Sequence, residues 1–572
     1  MSGSRTAAVN QVSFLRIIEG DLCDILKGAF YPMKTSKKAV SAILASILLI
    51  GTASCGGGGR PASTTAGGGD AAATTTTEVL PTVTDDPNKE FDIEKNYDEL
   101  ANIESVDTKN EEGAGKLYES GKKAGVLNAL CYYKFENEEP ENRILDLYAE
   151  RFGGTVEVNM CSFGNYSEKL GMLLASGDSP DLIRYEWTML PGLMLENKFT
   201  ALDDWLDIDS PIWAEMRDQI DYYQYKGKHF YFPQERKPGY GVVYNTALLD
   251  EIGAERPMDL YFEGNWTWNE FEDIMMKWKA NDPSNIGVAV AASSAIHMIA
   301  TTGTPTVEYT GTDILNNVKS QPVTRAMEFM DKLSRARLIH NAGDIADIDY
   351  LGPDDQRPWT SGKLMFFIMP PEWAVKCGQQ FLFQNNLEGT VEFVPMPRDP
   401  EADKYYLMGS TYGYLVPAGA PNVQGAVSWI LAGRIYRTDP DVIAKEDENI
   451  LYDGPYYYAK CTKCKHPFDS ERGEENETCP ECGEPRKPKF KITYSPEQLQ
   501  IAKDVCDSSK FTFVYDDHRG FGTDCMNLFC ESADNMFDTP LHGNAVFSEQ
   551  VEAYYNVAET YFDKYRKAFS ES

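Results

Sequence analysis

The sequence predicts an α/β fold, a parallel sheet with crossover helices, carrying a small four-cysteine insert late in the chain. Three observations predict it. Short apolar runs alternate with segments of helical spacing from residue 125 to 185. Two C-x2-C pairs, Cys461/Cys464 and Cys479/Cys482, stand 14 residues apart. Hydrophobic residues fill 42% of 572 positions, enough to bury a large core. The absence of any self-similar period argues against a solenoid or a propeller.

The elements follow in order. Gly125–Tyr133 is an apolar run read as a strand, and Glu138–Phe152 has helical spacing in Ile144, Leu145, Leu147 and Tyr148. Thr155–Met160 is β-rich, and Ser167–Ser176 places Leu170, Met172, Leu173 and Leu174 on a helix. Pro180–Tyr185 then reads as a buried strand. Trp266-Thr267-Trp268 precedes another helix and packs its N-terminus, with Asn269 or Thr267 as the cap. The end of the chain, residues 491–572, is helical by the spacing of Leu499, Ile501 and Val505 and of Val551, Tyr554, Tyr555 and Val557.

Charge excludes whole classes of partner. With 54 Lys+Arg against 88 Asp+Glu the formal charge is −34, which repels nucleic-acid backbones and anionic lipid headgroups. No stretch reaches the roughly 18 apolar residues of a spanning helix. Enzyme motifs are scarce: H-E-x-x-H and G-x-S-x-G are absent, and Ser361-Gly362-Lys363 lacks the upstream glycine of a phosphate loop. Asp344, Asp347 and Asp349 alternate like a calcium loop without its central glycine, and read as a solvated acidic loop.

The N-terminal region reads as an export signal. Lys34, Lys37 and Lys38 form a positive stretch, Ala39–Ile50 an apolar one, and small residues lead to Cys55. Residues 33–54 resemble a bacterial lipoprotein signal peptide. The resemblance implies lipidation of Cys55 and anchoring at the cell membrane. Met33 is then the initiator, and residues 1–32 an extension that does not belong to the protein. Residues 55–120, rich in Gly, Ala and Thr before turning acidic, form a flexible tether.

Further motifs carry a second resemblance. They run in order as ASGDSPDLI (175–183), LDDWLD (202–207), KGKHFYFPQE (226–235), YNTALLDEIG (244–253), NWTWNEFED (265–273), SGKLMFFIMPPEW (361–373), VPMPRDP (394–400) and GSTYGYLVPAGAPN (409–422). The chain resembles the family 1 extracellular solute-binding proteins of sugar-type ABC importers. The resemblance implies a two-lobed periplasmic-binding-protein-like (type II) fold with discontinuous lobes. Residues 121–245 would begin lobe 1, residues 246–360 would begin lobe 2, and residues 361–455 would return to both. A sugar offers apolar C–H faces and a rim of hydroxyls, so its site needs aromatic platforms and fixed polar partners.

Such groups converge after the carboxyl ends of parallel strands. Trp187 and Glu186 follow the third strand, and Trp373 and Glu372 close SGKLMFFIMPPEW at a position where the family holds a cleft aromatic. Tyr240 precedes a crossover, Tyr412 sits among small residues, and Asn165 follows the second strand as a hydrogen-bonding candidate. Each has a plainer reading, the rings as core residues and the carboxylates as solvated charges.

Cys461, Cys464, Cys479 and Cys482 make the most specific local pattern, for two thiolate pairs can close a tetrahedral site. Gly483 stands where the knuckle turn wants positive φ. Residues 456–490 resemble a zinc ribbon, with iron or a pair of disulfides as alternatives. Four sulfurs fill the shell, leaving His466 out and making zinc structural. Cys131, Cys161, Cys377, Cys506, Cys525 and Cys530 are scattered like buried free thiols.

The expectation is a monomeric, membrane-anchored extracytoplasmic receptor without catalytic residues. It captures a small ligand, an oligosaccharide, by hinge closure and delivers it to the membrane subunits of an ABC permease. No organic cofactor and no nucleic acid take part. The rival reading is a scaffold lipoprotein that uses the zinc ribbon for docking and has a degenerate cleft; an extracellular hydrolase is the weaker third.

Overall fold

The structure, a computed structural model, describes residues 123–570 except 139, 291–292, 342–361, 372–374, 376–377, 380–388, 453, 455, 459, 469–477, 489–491, 532–533, 542 and 544. The signal, Cys55, the tether, the aspartates at 344, 347 and 349, Glu372, Trp373 and Cys377 lie outside the described residues.

The first sheet opens with β1 (Gly125–Cys131), β2 (Gly154–Met160) and β3 (Leu182–Arg184), all parallel, in the order β2-β1-β3. Helices Glu141–Phe152 and Tyr166–Ser176 form the crossovers, as the periodicity predicts. Ile144, Tyr148 and Phe152 recur at helical spacing and are buried. A short hairpin, β4 (Gln224–Tyr225) and β5 (Lys228–His229), precedes β6 (Phe232–Lys237) at the far edge of this sheet.

The chain then crosses over. β7 (Gly241–Asn245) and β8 (Ile286–Val290) belong to a second sheet, so the crossover falls between Lys237 and Gly241, one strand before residue 245. After the hairpin β9 (Val307–Tyr309) and β10 (Ile314–Asn316), strands β11 (Ile339–Asn341), β12 (Leu364–Met369) and β13 (Val391–Pro395) complete the order β11-β8-β12-β7-β13. β12 reads LMFFIM and is buried at every position, as a central strand covered on both faces requires. The chain returns through β14 (Tyr406–Met408) to β15 (Ser410–Leu415), which enters the first sheet between β3 and β6. β16 (Thr512–Val514) pairs in parallel with β14, making a two-stranded sheet beside the return crossover.

Each sheet has its own aromatic core. In the first, Phe135 stacks on Trp429 at 4.8 Å, with Tyr148 and Tyr414 edge-on to the indole. In the second, Phe271 and Trp266 pack on Phe366, and the Trp266 indole N–H donates to the Pro395 carbonyl at 2.8 Å. Thr267, not Asn269, caps the helix Trp268–Asn281, its hydroxyl accepting from the Asn269 N–H.

The C-terminal segment serves both lobes. In the helix Phe547–Ser570, the Ala568 carbonyl accepts from Tyr225 and Lys564 pairs with Glu196, both of the first lobe. Arg566 donates to the Ile314 carbonyl and Glu552 pairs with Lys319, both of the second.

Candidate functional site

Strand register fixes where the lobes meet. Parallel strands β1, β2 and β3 end at Cys131, Met160 and Arg184, and antiparallel β15 pairs Tyr414 with Arg184. Tyr412 therefore lies beyond the carboxyl ends of the first sheet. In the second sheet β8 and β12 run parallel, and Gly241 pairs with Met369 at the carboxyl end of β12. Both sheets thus turn their carboxyl ends toward the crossover Pro238-Gly239-Tyr240. A cleft between these ends is where an open α/β sheet places its ligands.

On the first-lobe side the chain beyond β1 and β3 supplies Tyr132, Tyr133, Tyr185, Glu186 and Trp187. The Tyr132 hydroxyl donates to Glu186 at 2.6 Å, and Arg184 stands 3.5 Å from the same carboxylate. Glu186 is 5% exposed, and burial pushes its carboxyl above the usual range against the pull of Arg184 and Tyr132. Trp187 is half-buried, with the Phe163 ring 6.3 Å away.

Tyr412 is bound into the lobe itself. Its ring lies between the Arg184 and Arg437 guanidiniums, at 4.4 and 5.0 Å, and its hydroxyl donates to Glu141 at 2.5 Å. Tyr133 and Tyr414 approach the same hydroxyl at 2.5 and 2.9 Å. This hydroxyl is spent on the lobe's interior, because a buried phenol left unpaired costs about 1–3 kcal/mol. Asn165 is exposed and makes no cap hydrogen bond to the helix that follows it.

Tyr240 stacks flat on His297 at 3.9 Å, joining the crossover to the helix Ser294–Ala300 of the second lobe. Burial holds the His297 ring well below its ordinary pKa, with Arg519 and His518 adding to the effect, so the imidazole is neutral. The structure thus gathers Glu186 and Trp187 at one lobe's edge and Tyr240 at the hinge, but it turns the Tyr412 hydroxyl inward and leaves Asn165 on the surface.

Sequence reasoning missed the segment Asp516–Gly522, which runs between the lobes just past β16. Asp517 accepts from the hydroxyls of Tyr222 at 2.5 Å and Tyr223 at 3.1 Å in the first lobe. It also accepts from the Tyr309 backbone N–H in the second, at 3.0 Å. Its carboxyl is 2% exposed, and burial, opposed by these donors, pushes its pKa up to about 7. The Gly192 N–H donates to the Gly520 carbonyl at 2.9 Å. A Cβ on Gly520 would stand 1.9 Å from the Leu190 carbonyl, so only glycine fits that approach. The signal in the sequence was a glycine-bounded run of charge, DDHRGFG, inside a stretch read only for its helices.

The cysteine cluster is a separate centre. All four sulfurs lie within 4.8 Å of one another, with Cys461–Cys482 at 3.6 Å and Cys464–Cys479 at 3.4 Å. A disulfide needs sulfurs about 2.05 Å apart, whereas four thiolates on one zinc at about 2.3 Å stand roughly 3.8 Å apart. The donor set therefore fits a tetrahedral metal. The two knuckles repeat one geometry. Cys461 N–H donates to the His466 carbonyl and Cys479 N–H to the Glu484 carbonyl, both at 2.8 Å. Lys465 and Gly483 take positive φ, 66° and 69°, at equivalent places. Of the other described cysteines, Cys131, Cys525 and Cys530 are buried, and Cys161 and Cys506 are half-buried.

The chain belongs to the bacterial extracellular solute-binding protein family, whose model matches residues 144–439. The fold is that of two-lobed binding proteins. One similar structure is the galacto-N-biose/lacto-N-biose I-binding protein of a Bifidobacterium longum ABC transporter in complex with lacto-N-biose. It has a TM-score of 0.51 at 13% identity, over 79% of this chain and 99% of that one. Another is an ABC-transporter-associated binding protein of B. animalis subsp. lactis Bl-04 in complex with β-1,6-galactobiose, with a TM-score of 0.50 at 14% identity over 77% and 98%. Among curated proteins no sequence matches this one.

Proposed function

We propose that this chain captures a carbohydrate, an oligosaccharide, outside the cytoplasmic membrane and hands it to the permease of an ABC importer. The observation that carries the reading is a polar and aromatic edge, Trp187 beside Glu186 and Tyr132, set at the carboxyl ends of the parallel strands β1 and β3, on the side of the sheet where the chain crosses to the second one. The indole supplies a face for sugar C–H groups and the carboxylate an acceptor for hydroxyls. Trp373 and Glu372 are read as the second lobe's counterparts. Ligand bound by both lobes favours the closed arrangement by the difference in its affinity for the two states. Lipidated Cys55 and the tether of residues 55–120 would keep the receptor, a monomer, at the membrane near the permease.

The four cysteines are read as a structural zinc site, in which the metal holds two knuckles together and offers no open position for chemistry. The scaffold reading, favoured only by this insert, would make the cluster the working surface.

A thermal-shift screen decides between them. Chain beginning after Cys55 is titrated with lacto-N-biose, β-1,6-galactobiose, mannobiose and longer oligosaccharides. A ligand at 100 times its Kd adds about 2.7 kcal/mol to folding, a rise of several degrees in midpoint. A rise with one glycan class supports the receptor; a flat response across the panel sinks the carbohydrate reading.

A further inference from the structure

Stacking a sugar on Trp187 requires one bare indole face, and a side chain of the protein already stands over that ring. The guanidinium carbon of Arg519 lies 5.1 Å from the indole centroid. The same guanidinium donates to the Ser293 hydroxyl, just beyond β8 in the second lobe. One side chain therefore touches both sides of the cleft. Its backbone is pinned on either flank, by the Asp517 N–H donating to the Val307 carbonyl at 2.9 Å and by the Gly192–Gly520 hydrogen bond. Fixed backbone and a long side chain let the guanidinium swing away without moving the lobes' cores. A planar cation over indole resembles the flat, weakly hydrated face of a ligand in size and in binding mode.

We infer that Arg519 is an internal occupant of the Trp187 face. In the ligand-free chain it covers the indole and bridges the lobes, and capture of a sugar is a displacement of this guanidinium. The inference rests on the reading of Trp187 as a sugar platform. Occupancy by Arg519 lowers the fraction of binding-competent cleft, so apparent affinity is reduced by that fraction.

Two measurements on the folded, ligand-free chain and on its sugar complex test this. In the first, hydroxyl-radical footprinting with mass spectrometry reads the oxidation rate of Trp187 in wild type, Arg519→Ala and Arg519→Gln, with circular dichroism confirming the fold. A severalfold faster oxidation in both variants is expected; an unchanged rate overturns the inference, since the guanidinium then does not cover the ring. In the second, calorimetry compares affinities for whichever panel sugar binds wild type. Tighter binding by severalfold in Arg519→Ala is expected. Weaker binding overturns the inference and makes Arg519 a ligand contact. Trp187→Ala separates the two layers: if it leaves sugar affinity unchanged while footprinting still shows Arg519 covering the ring, the platform reading fails and displacement fails with it. If no sugar binds at all, the carbohydrate reading fails, and footprinting alone still decides whether Arg519 covers Trp187.

Discussion

The cysteine cluster and the cleft are built on opposite plans. Four sulfurs come from residues 461 to 482, two turns of one local motif, and meet within 4.8 Å. The proposed cleft takes Tyr132, Glu186, Trp187, Tyr240, Ser293 and Arg519 from residues spread over most of the body, held together only because two sheets and the crossovers between them put them there. The first depends on the spacing of four cysteines, the second on the packing of the entire chain. A change in the cluster should therefore stay local, and a change at the cleft's supports should travel.

The largest effect expected is at the cluster. Cys461→Ser together with Cys479→Ser should abolish metal binding, read by elemental analysis and by a chromogenic zinc-release assay, because structural zinc is held by about 10–16 kcal/mol. The midpoint of the two-sheet body should move little. A collapse of the body with the cluster would break the comparison. Next, Gly520→Ala should cost about 1–3 kcal/mol by forcing the segment Asp516–Gly522 away from Leu190, and should weaken lobe closure measured by small-angle scattering. If closure is unaffected, the segment Asp516–Gly522 does not couple the lobes.

Smaller effects sharpen the picture. Trp187→Ala should reduce sugar affinity roughly 10- to 100-fold in calorimetry, the loss expected of a stacked ring. Asp517 should make stability fall with rising pH. Its carboxyl titrates near 7 when folded but near 3.9 unfolded, so the loss accumulates between about pH 4 and 7 and levels off above. Asp517→Asn should flatten that slope in a comparison of melting midpoints at pH 5 and 8. Smallest is His229. Asp203 at 2.7 Å and Asp221 at 3.5 Å overcome its partial burial and raise its pKa to about 9. Its contribution is present below about pH 6.5 and lost by pH 9, and His229→Gln should remove that decline.

The same contrast governs what could be read in advance. The strand and helix order from Gly125 to Arg184 was legible because periodicities of 2 and 3.6 are local properties. The knuckles were legible because their spacing is chemistry in one dimension. Tyr412 shows the limit: small neighbours suggested a presented ring, but Glu141, Tyr133 and Arg437 arrive from far along the chain and hold its hydroxyl inward. Arg519 and Asp517 were illegible for the same reason, since their meaning depends on the lobes between which they fall. The C-terminal residues read as helices, and nothing in their spacing told that they would touch both lobes.

The cluster's place in the chain has a practical use. It lies between the helices Pro440–Leu451 and Pro496–Asp504, which are joined by the Lys503–Asp447 ion pair, and the Tyr494 N–H, just ahead of the second helix, donates to the Ile450 carbonyl at 2.9 Å. The chain on either side of the cluster, at Ile450 and Tyr494, is thus held side by side by the body itself. That seam accepts a foreign domain whose own ends lie close together. A circularly permuted fluorescent protein spliced there in place of the knuckles would report movement between the helices as light, turning a solute receptor into an optical sensor.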